Sequence, residues 1–465
     1  MQNTPRTILD KRIVRRLLKG LGASFYGQLV VTLIQLAGVP ILLRYWHVQL
    51  YGEWLILFAI PSYLSMTDLG FSQSAANDMT ARVARGDKAG ALEVFQSLST
   101  LVFLVASGGL ILVAVAVVLL PLDSWVHFSV LTTREVRWVL WLLAAEVLVK
   151  LMDGINHAGF RSNGDYALHV SLYYSTLLAQ YSSIWLLAAF GYGPVAAGAA
   201  FLGIRVLVTP SVGVLLRRRH RWVHFAFWHT RLGRLRALLR PALANTALPL
   251  AQLLNVQGML LLVGAILGPV AVVTFSTLRT LTRSVLQLVF TVSNAAEPEL
   301  ASAFGSGNRP LLRVLYHHAM QAGLWLALTA ALGLALTGSR VLRLWTHGSV
   351  TMYSQLFHWL LASAVATVLW HSSLTLLKAA NRHLHAAAIY ATMAVLALLV
   401  AGFLLRATGD LRYIGMILLL MDSAMAAYTL RAAAHLCDSS VASALLSAFN
   451  PVALFGLLRK GSPAV

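Results

Sequence analysis

The sequence has little of what keeps a large protein in water. Of its 465 residues only 11% are charged, against about 25% in a typical soluble domain. Acids are the scarcest: Asp and Glu together number 16, against 36 Lys and Arg. There is one cysteine, Cys437, so no disulfide can form within the chain. No Cys-x-x-Cys or paired Cys/His pattern is present, and neither a metal nor a cofactor is expected. The loose spacing of His220, His224 and His229 lacks a nearby carboxylate or Cys and reads as solvated histidines. No Gly-Lys pair occurs anywhere, which excludes a Walker A loop and ATP hydrolysis by this chain. No segment between apolar runs exceeds about 25 residues, well below ordinary domain size. A membrane glycosyltransferase or ligase would need a larger outer loop, so a non-enzyme is expected. These shortages exclude a soluble enzyme, a secreted domain and a disordered chain.

Apolar residues fill the space, at 58% of the chain. A transmembrane helix needs about 20 of them in succession. Twelve such runs are expected, near 21–43, 51–77, 92–120, 136–160, 166–190, 194–216, 239–266, 270–296, 311–337, 352–378, 384–406 and 412–434. None alternates polar and apolar as β-barrel strands do. The fold class is therefore an all-α polytopic membrane protein. A net charge of +20 would suggest nucleic acid in a soluble protein. Here the basic residues lie between apolar runs, so no nucleic-acid partner is needed. With the N-terminus in the cytoplasm, inside connections carry 25 Lys and Arg and outside ones 7. That bias places both termini in the cytoplasm. Arg6, Lys11, Arg12, Arg15, Arg16 and Lys19 precede Leu21–Leu43, which is too long for a signal peptide and reads as a retained first span. Residues 441–458 are apolar but interrupted by Asn450-Pro451, as in a short interfacial helix.

The chain repeats itself weakly at an offset of about 220 residues. LLKGLGAS from Leu17 aligns with LLRPALAN from Leu238, Ala75-Ala76 with Ala295-Ala296, and Gly86-Asp87 with Gly307-Asn308. The offset spans six helices, an even number, so both copies insert the same way up. Parallel repeats of this kind hold substrate between them near the midplane. The expected organisation is a six-helix lobe over 1–216, a basic linker over 217–240, a second lobe over 241–436 and a tail over 437–465. The linker mixes arginines with Trp222, Phe225, Phe227 and Trp228. It reads either as a grip on anionic lipid headgroups or as an ordinary positive-inside anchor.

An ionisable residue at mid-membrane is a functional candidate by default. The fourth span carries Glu146, Lys150, Asp153 and His157 on one helical face. They read as a hydrated cavity wall or as a structural Glu146–Lys150 pair continued by two more polar groups. Arg279 and Arg283 stand one turn apart on the eighth span with no acid within a turn. Paired guanidinium forks suit a phosphate-bearing anion. Arg205 and Asp422 are single mid-span charges, and Pro61 is expected to bend the second span before Asp68. Gln28 and Gln252 belong to uncharged polar stripes on the first and seventh spans, either interhelical glue or sugar-binding surface.

The stretch from Tyr51 to Asp87, YGEWLILFAIPSYLSMTDLGFSQSAANDMTARVARGD, resembles the second-span signature of the polysaccharide transporters: Tyr-Gly-x-Trp, then Tyr-Leu, then Asp-Leu-Gly-Phe. These belong to the multidrug/oligosaccharidyl-lipid/polysaccharide flippase superfamily. The resemblance implies an O-antigen-type flippase of the bacterial inner membrane. Such a protein moves an undecaprenyl-pyrophosphate-linked oligosaccharide from the inner to the outer leaflet by alternating access, beside other polysaccharide-assembly membrane proteins. Arg279, Arg283, Arg205 and Lys150 fit a pyrophosphate by type and depth, and Glu146, Asp153, Asp68 and Asp422 are the acids deep enough to exchange protons. The alternative is a cation-coupled multidrug exporter of the same superfamily, or a membrane-embedded glycan ligase. Exporters of that kind often carry an acid in the first span, and none lies between Leu21 and Leu43.

Overall fold

A computed structural model describes residues 11–119, 128–226, 228 and 230–449. Every regular element among them is helical. In chain order they are α1 (Lys11–Ser62), a 3₁₀ turn (Tyr63–Asp68), α2 (Phe71–Ala84), α3 (Lys88–Leu119), α4 (Thr133–Ser162), α5 (Tyr166–Ala189), α6 (Pro194–Arg219) and α7 (Leu232–Leu253). A π turn (Leu254–Gly258) leads into α8 (Met259–Leu267), followed by α9 (Pro269–Gly305), α10 (Arg309–Trp345), α11 (Ser354–Ala379), α12 (Leu384–Thr408), α13 (Arg412–Leu436) and α14 (Val441–Phe449). Eight stretches are long and apolar enough to cross a membrane, Leu18–Ala84 among them as a single run. That run holds two of the expected spans, and α4, α5 and α9 match three more. α4 and α9 are the spans that carry Glu146, Lys150, Asp153, Arg279 and Arg283.

The separation expected between the first two spans is a kink, not a loop. α1 has 52 residues, about 78 Å of helix at 1.5 Å per residue, which is far more than one bilayer thickness. It is broken at His47, whose φ of 57° and ψ of 172° are non-helical. Gly268, at φ 81° and ψ 179°, breaks α8 from α9 in the same conformation. The two positions are 221 residues apart, as are Gly86 and Gly307. The turns at those glycines match bond for bond. Gly86 N–H donates to the Val83 carbonyl and Asp87 N–H to that of Arg82; Gly307 donates to Phe304 and Asn308 to Ala303. Asp87 Oδ1 then caps α3 through Gly90 N–H at 2.8 Å, and Asn308 Oδ1 caps α10 through Leu311 N–H at 3.1 Å. The internal repeat is therefore written in backbone geometry as well as in sequence.

The chain forms two compact units, Met1–Thr246 and Ala247–Val465, divided within α7. In the first, α4 packs on α2, α3 and α6 around Met79, Phe95, Leu98, Phe160 and Leu216. In the second, α11 packs on α9, α10 and α13, with Val285, Val289, Ala327 and Val368 at the centre of the α9–α11 contacts. α14 packs on α10 and α13; the expected interruption at Asn450-Pro451 lies outside the described residues.

The expected linker over 217–240 is shorter than its charge suggested. α6 runs through Arg219 and α7 starts at Leu232, because arginines are good helix formers and suit helix C-termini. Described residues between them are pinned to the rest of the first unit. Trp222 Nε1 donates to Asn163 at 3.0 Å, Thr230 and Thr100 share a 2.6 Å hydroxyl bond, and Arg231 N–H donates to Ser97 at 3.0 Å. Arg234 pairs with Glu93 at 3.0 Å, and His220 Nε2 lies 3.0 Å from Asp165.

The stretch that resembles the flippase signature has local structural work. Glu53 is fully buried, and its carboxylate accepts from the backbone N–H groups of Ser129, Val130 and Leu131 at 2.7–2.9 Å. It thereby fixes the approach to α4. Asp68 accepts from both the backbone N–H and the hydroxyl of Ser72, capping α2. Leu69 and Gly70 between them are both left-handed. At Gly70 a Cβ would lie 2.6 Å from Thr246 Oγ1 and 2.7 Å from the Ala242 carbonyl, so close approach and conformation both demand glycine.

Candidate functional site

The second unit encloses a cavity of ≈ 380 Å³ beside α9. Helical spacing sends Arg279 and Arg283 to the same wall, one turn apart, and Gln252, Asn255, His371, Lys378 and Asp422 join them. The π turn at Leu254–Gly258 aims bulged backbone at Arg279: its Nη1 donates to the carbonyls of Asn255 and Val256, and its Nη2 donates to Asn255 Oδ1 at 3.1 Å. Asn255 is itself held by Tyr390, through Nδ2 to the hydroxyl oxygen at 2.8 Å. π turns of this kind gather at functional sites. Arg283 is exposed to the cavity and has no hydrogen bond or ion pair among the described residues.

Among the described residues Asp422 is the one acid in this wall, and it is spoken for by neutral donors. Ser363 Oγ donates to it at 2.5 Å and Trp370 Nε1 at 3.0 Å. Neither arginine is within ion-pair distance of an acid among the described residues. The charge of Arg279 is solvated by two carbonyls and an amide but not cancelled, and that of Arg283 faces the cavity, so among the described residues the wall carries three fixed cations against one anion. His371 stacks near Phe290, centroids 4.1 Å apart, with both ring nitrogens unpartnered.

The first unit has its own polar cavity, of ≈ 460 Å³. Ser24 and Gln28 from α1, Lys150, Asp153 and His157 from α4, and His169 and Tyr173 from α5 line it. His169 Nε2 lies 3.4 Å from Asp153 Oδ1, and its Nδ1 lies 3.4 Å from Nδ1 of His157. Lys150 sits over the Tyr173 ring at 5.8 Å.

The structure splits the fourth-span stripe. Glu146 does not pair with Lys150 and does not line either cavity. It accepts from Arg205 Nε at 2.9 Å and from Gln180 Nε2 at 3.0 Å, while Gln180 Oε1 accepts from Arg205 Nη2 at 2.7 Å. Arg205 is 2% exposed, so its donors serve this cluster and not a cavity. Neither expectation for Glu146, a cavity wall or a pair with Lys150, describes its place, because a partner 59 residues away on α6 leaves no local signal. Asp68 likewise belongs to a helix cap. Of the positions singled out in sequence, Arg279, Arg283, Gln252 and Asp422 come together in the second unit, and Lys150, Asp153 and Gln28 in the first. His169, Tyr173, His371 and Lys378 were missed as cavity residues; a histidine or tyrosine in an apolar run gives no distinguishing pattern, and Lys378 reads as a loop charge.

No protein-family model and no curated protein matches the chain. Solved structures do. A multidrug-resistance MATE family transporter of the MOP superfamily, in an inward-facing conformation, is 15% identical with a TM-score of 0.69, covering 88% of this chain and 99% of that one. The chain has the MATE transporter fold. A MATE protein in a bent conformation matches at TM-score 0.63 and 15% identity, over 94% of this chain and 97% of that one. A MOP-superfamily transporter from Pyrococcus furiosus, described as having a binding pocket of reversed polarity that suggests a different function, matches at 0.55 and 14% identity, over 92% and 95%. The MATE fold agrees with the expected all-α, two-lobed membrane architecture.

Proposed function

We propose that this chain is an inner-membrane transporter that moves an anionic, lipid-linked glycan from the inner to the outer leaflet by alternating access, for surface polysaccharide assembly. The observation that carries this reading is the surplus of positive charge in the second-unit cavity. Among the described residues, Arg279, Arg283 and Lys378 face one carboxylate, which is already held by Ser363 and Trp370. Two forks one turn apart reach the two phosphates of a pyrophosphate, and Gln252 offers its amide to a sugar hydroxyl while Asn255 holds Arg279 in place. The resemblance of Tyr51–Asp87 to polysaccharide transporters supplies the undecaprenyl-pyrophosphate oligosaccharide as the substrate. Proton coupling falls to Asp153 with His169 and His157, because these line a cavity while Glu146 is locked to Arg205. Two imidazoles meeting through Nδ1 cannot both carry that proton and keep the bond, so the contact is a natural proton relay.

The second reading is a multidrug exporter, favoured by the names of the structural neighbours. Reconstitution separates the two. Proteoliposomes with a polyprenyl-pyrophosphate oligosaccharide in the inner leaflet should expose it outside, and Arg283→Ala should slow this by roughly 30-fold, the size of about a 2 kcal/mol charged contact. Arg283→Lys should recover part of the rate, since a point charge lacks the fork. Export of a cationic dye with no glycan movement would replace this reading with the exporter.

A further inference from the structure

The first unit holds another cavity, separate from the one lined by Lys150 and Asp153. It measures ≈ 310 Å³ and lies among α3, α4, α6 and the start of the linker. Phe103, Met152, Ile155, Val214 and Phe225 make its walls apolar. Two polar residues interrupt them. Asn156, 2% exposed, donates through Nδ2 to the Thr209 carbonyl at 3.1 Å, but its Oδ1 has no partner. Thr209, 4% exposed, has an unpartnered Oγ1. Buried polar atoms are rarely left so. At the cavity's basic end stands Arg217, exposed in the last turn of α6 and without an ion pair among the described residues. Arg218, Arg221 and Trp228 are exposed nearby in sequence, Trp228 by 89%.

We infer that this cavity is a binding site for an anionic glycerophospholipid whose headgroup carries hydroxyls. The apolar walls take an acyl chain. Asn156 Oδ1 accepts only, so it needs an O–H or N–H from the ligand. Arg217 takes the phosphate. A purely apolar guest would leave Asn156 unpaired, and a cationic guest would meet Arg217–Arg219. The lipid is bound by the first unit alone, and the site shares no residue with the Arg279–Arg283 cavity.

The test uses the purified full-length chain in a neutral detergent. Phosphatidylglycerol and phosphatidylcholine with identical acyl chains are titrated in, and retained lipid is counted by native mass spectrometry. Phosphatidylglycerol should be held at least about tenfold more tightly, because its hydroxyls satisfy Asn156 whereas phosphatidylcholine brings a cation against Arg217–Arg219. Arg217→Gln should weaken phosphatidylglycerol several-fold while the Asn156 and Thr209 contacts keep it above phosphatidylcholine. Val214→Trp should remove retention of both by filling the cavity, and the near-isosteric Thr209→Val should weaken phosphatidylglycerol without disturbing the fold. Arg283→Ala should bind both lipids as the wild type does. Equal retention of the two lipids by the wild type would overturn the inference. So would phosphatidylglycerol binding unchanged in Arg217→Gln and Thr209→Val, which would assign it to the basic surface at large. Thermal stabilisation by soluble glycerol phosphate equal to that by the lipid would remove the acyl chain from the site.

Discussion

Single residues in this protein divide into charges that are locked and charges that are left open. Glu146 and Arg205 are locked: 6% and 2% exposed as side chains, 2.9 Å apart, with Gln180 bridging them. Removing one partner of a buried pair strands the other and costs about 3–5 kcal/mol. Arg205→Ala should therefore lower Tm sharply or abolish expression, which a detergent thermal-shift assay reads directly. Asp153→Asn should leave stability nearly intact and flatten the pH dependence of transport; a normal pH profile would remove Asp153 from coupling. Helical spacing alone placed Arg279 and Arg283 on one wall, since i and i+4 share a face whatever packs against them. It also put Glu146 and Lys150 on one face, but could not say that Arg205 would claim Glu146, because side-chain pairing between helices depends on tertiary packing.

At the scale of elements, the breaks carry as much information as the helices. His47 occupies a conformation that only glycine adopts without strain, costing about 1–3 kcal/mol. The equivalent position in the other repeat copy is Gly268. His47→Gly should accordingly raise or preserve Tm even after glycine's greater chain entropy is counted, whereas Gly268→His should lower it. Asp87 and Asn308 cap equivalent helices. The Gly90 backbone N–H, followed by Arg82, holds the Asp87 carboxyl below the usual carboxylate range. A lowered folded pKa means that its stabilisation is present above the unfolded carboxylate pKa and is lost as pH falls through the folded value. Any Tm advantage of wild type over Asp87→Asn should thus be seen at neutral pH and disappear in acid. The order of apolar runs marked where the long helices lie, often to within a few residues. It did not show that the first two are joined by a kink, because no Pro or Gly marks His47.

For the whole molecule, the alternation of apolar runs with basic connections was enough to read a polytopic helical protein, and the weak repeat was enough to read two halves. The unit boundary at Thr246 falls later than the basic linker, because α7 continues through the charge change. Cysteine labelling tests the orientation. After the buried Cys437 is replaced, Gly193→Cys at the exposed α5–α6 turn should label from outside, and Arg85→Cys at the α2–α3 turn only after permeabilisation. The reverse pattern would invert both leaflet assignments.

The Glu53 carboxylate and the Glu146–Arg205 pair also set an order in time. Glu53 leaves the ribosome long before the amides of Ser129–Leu131 that satisfy it, and Glu146 before Gln180 and Arg205. Until those segments emerge, the nascent first unit carries two carboxylates in the membrane without their final partners, and such charges are costly there. Vectorial synthesis thus makes α6 the closing piece of the unit. Chains halted before Arg205 should be substrates for membrane proteases, and chains halted just beyond α7 should survive them.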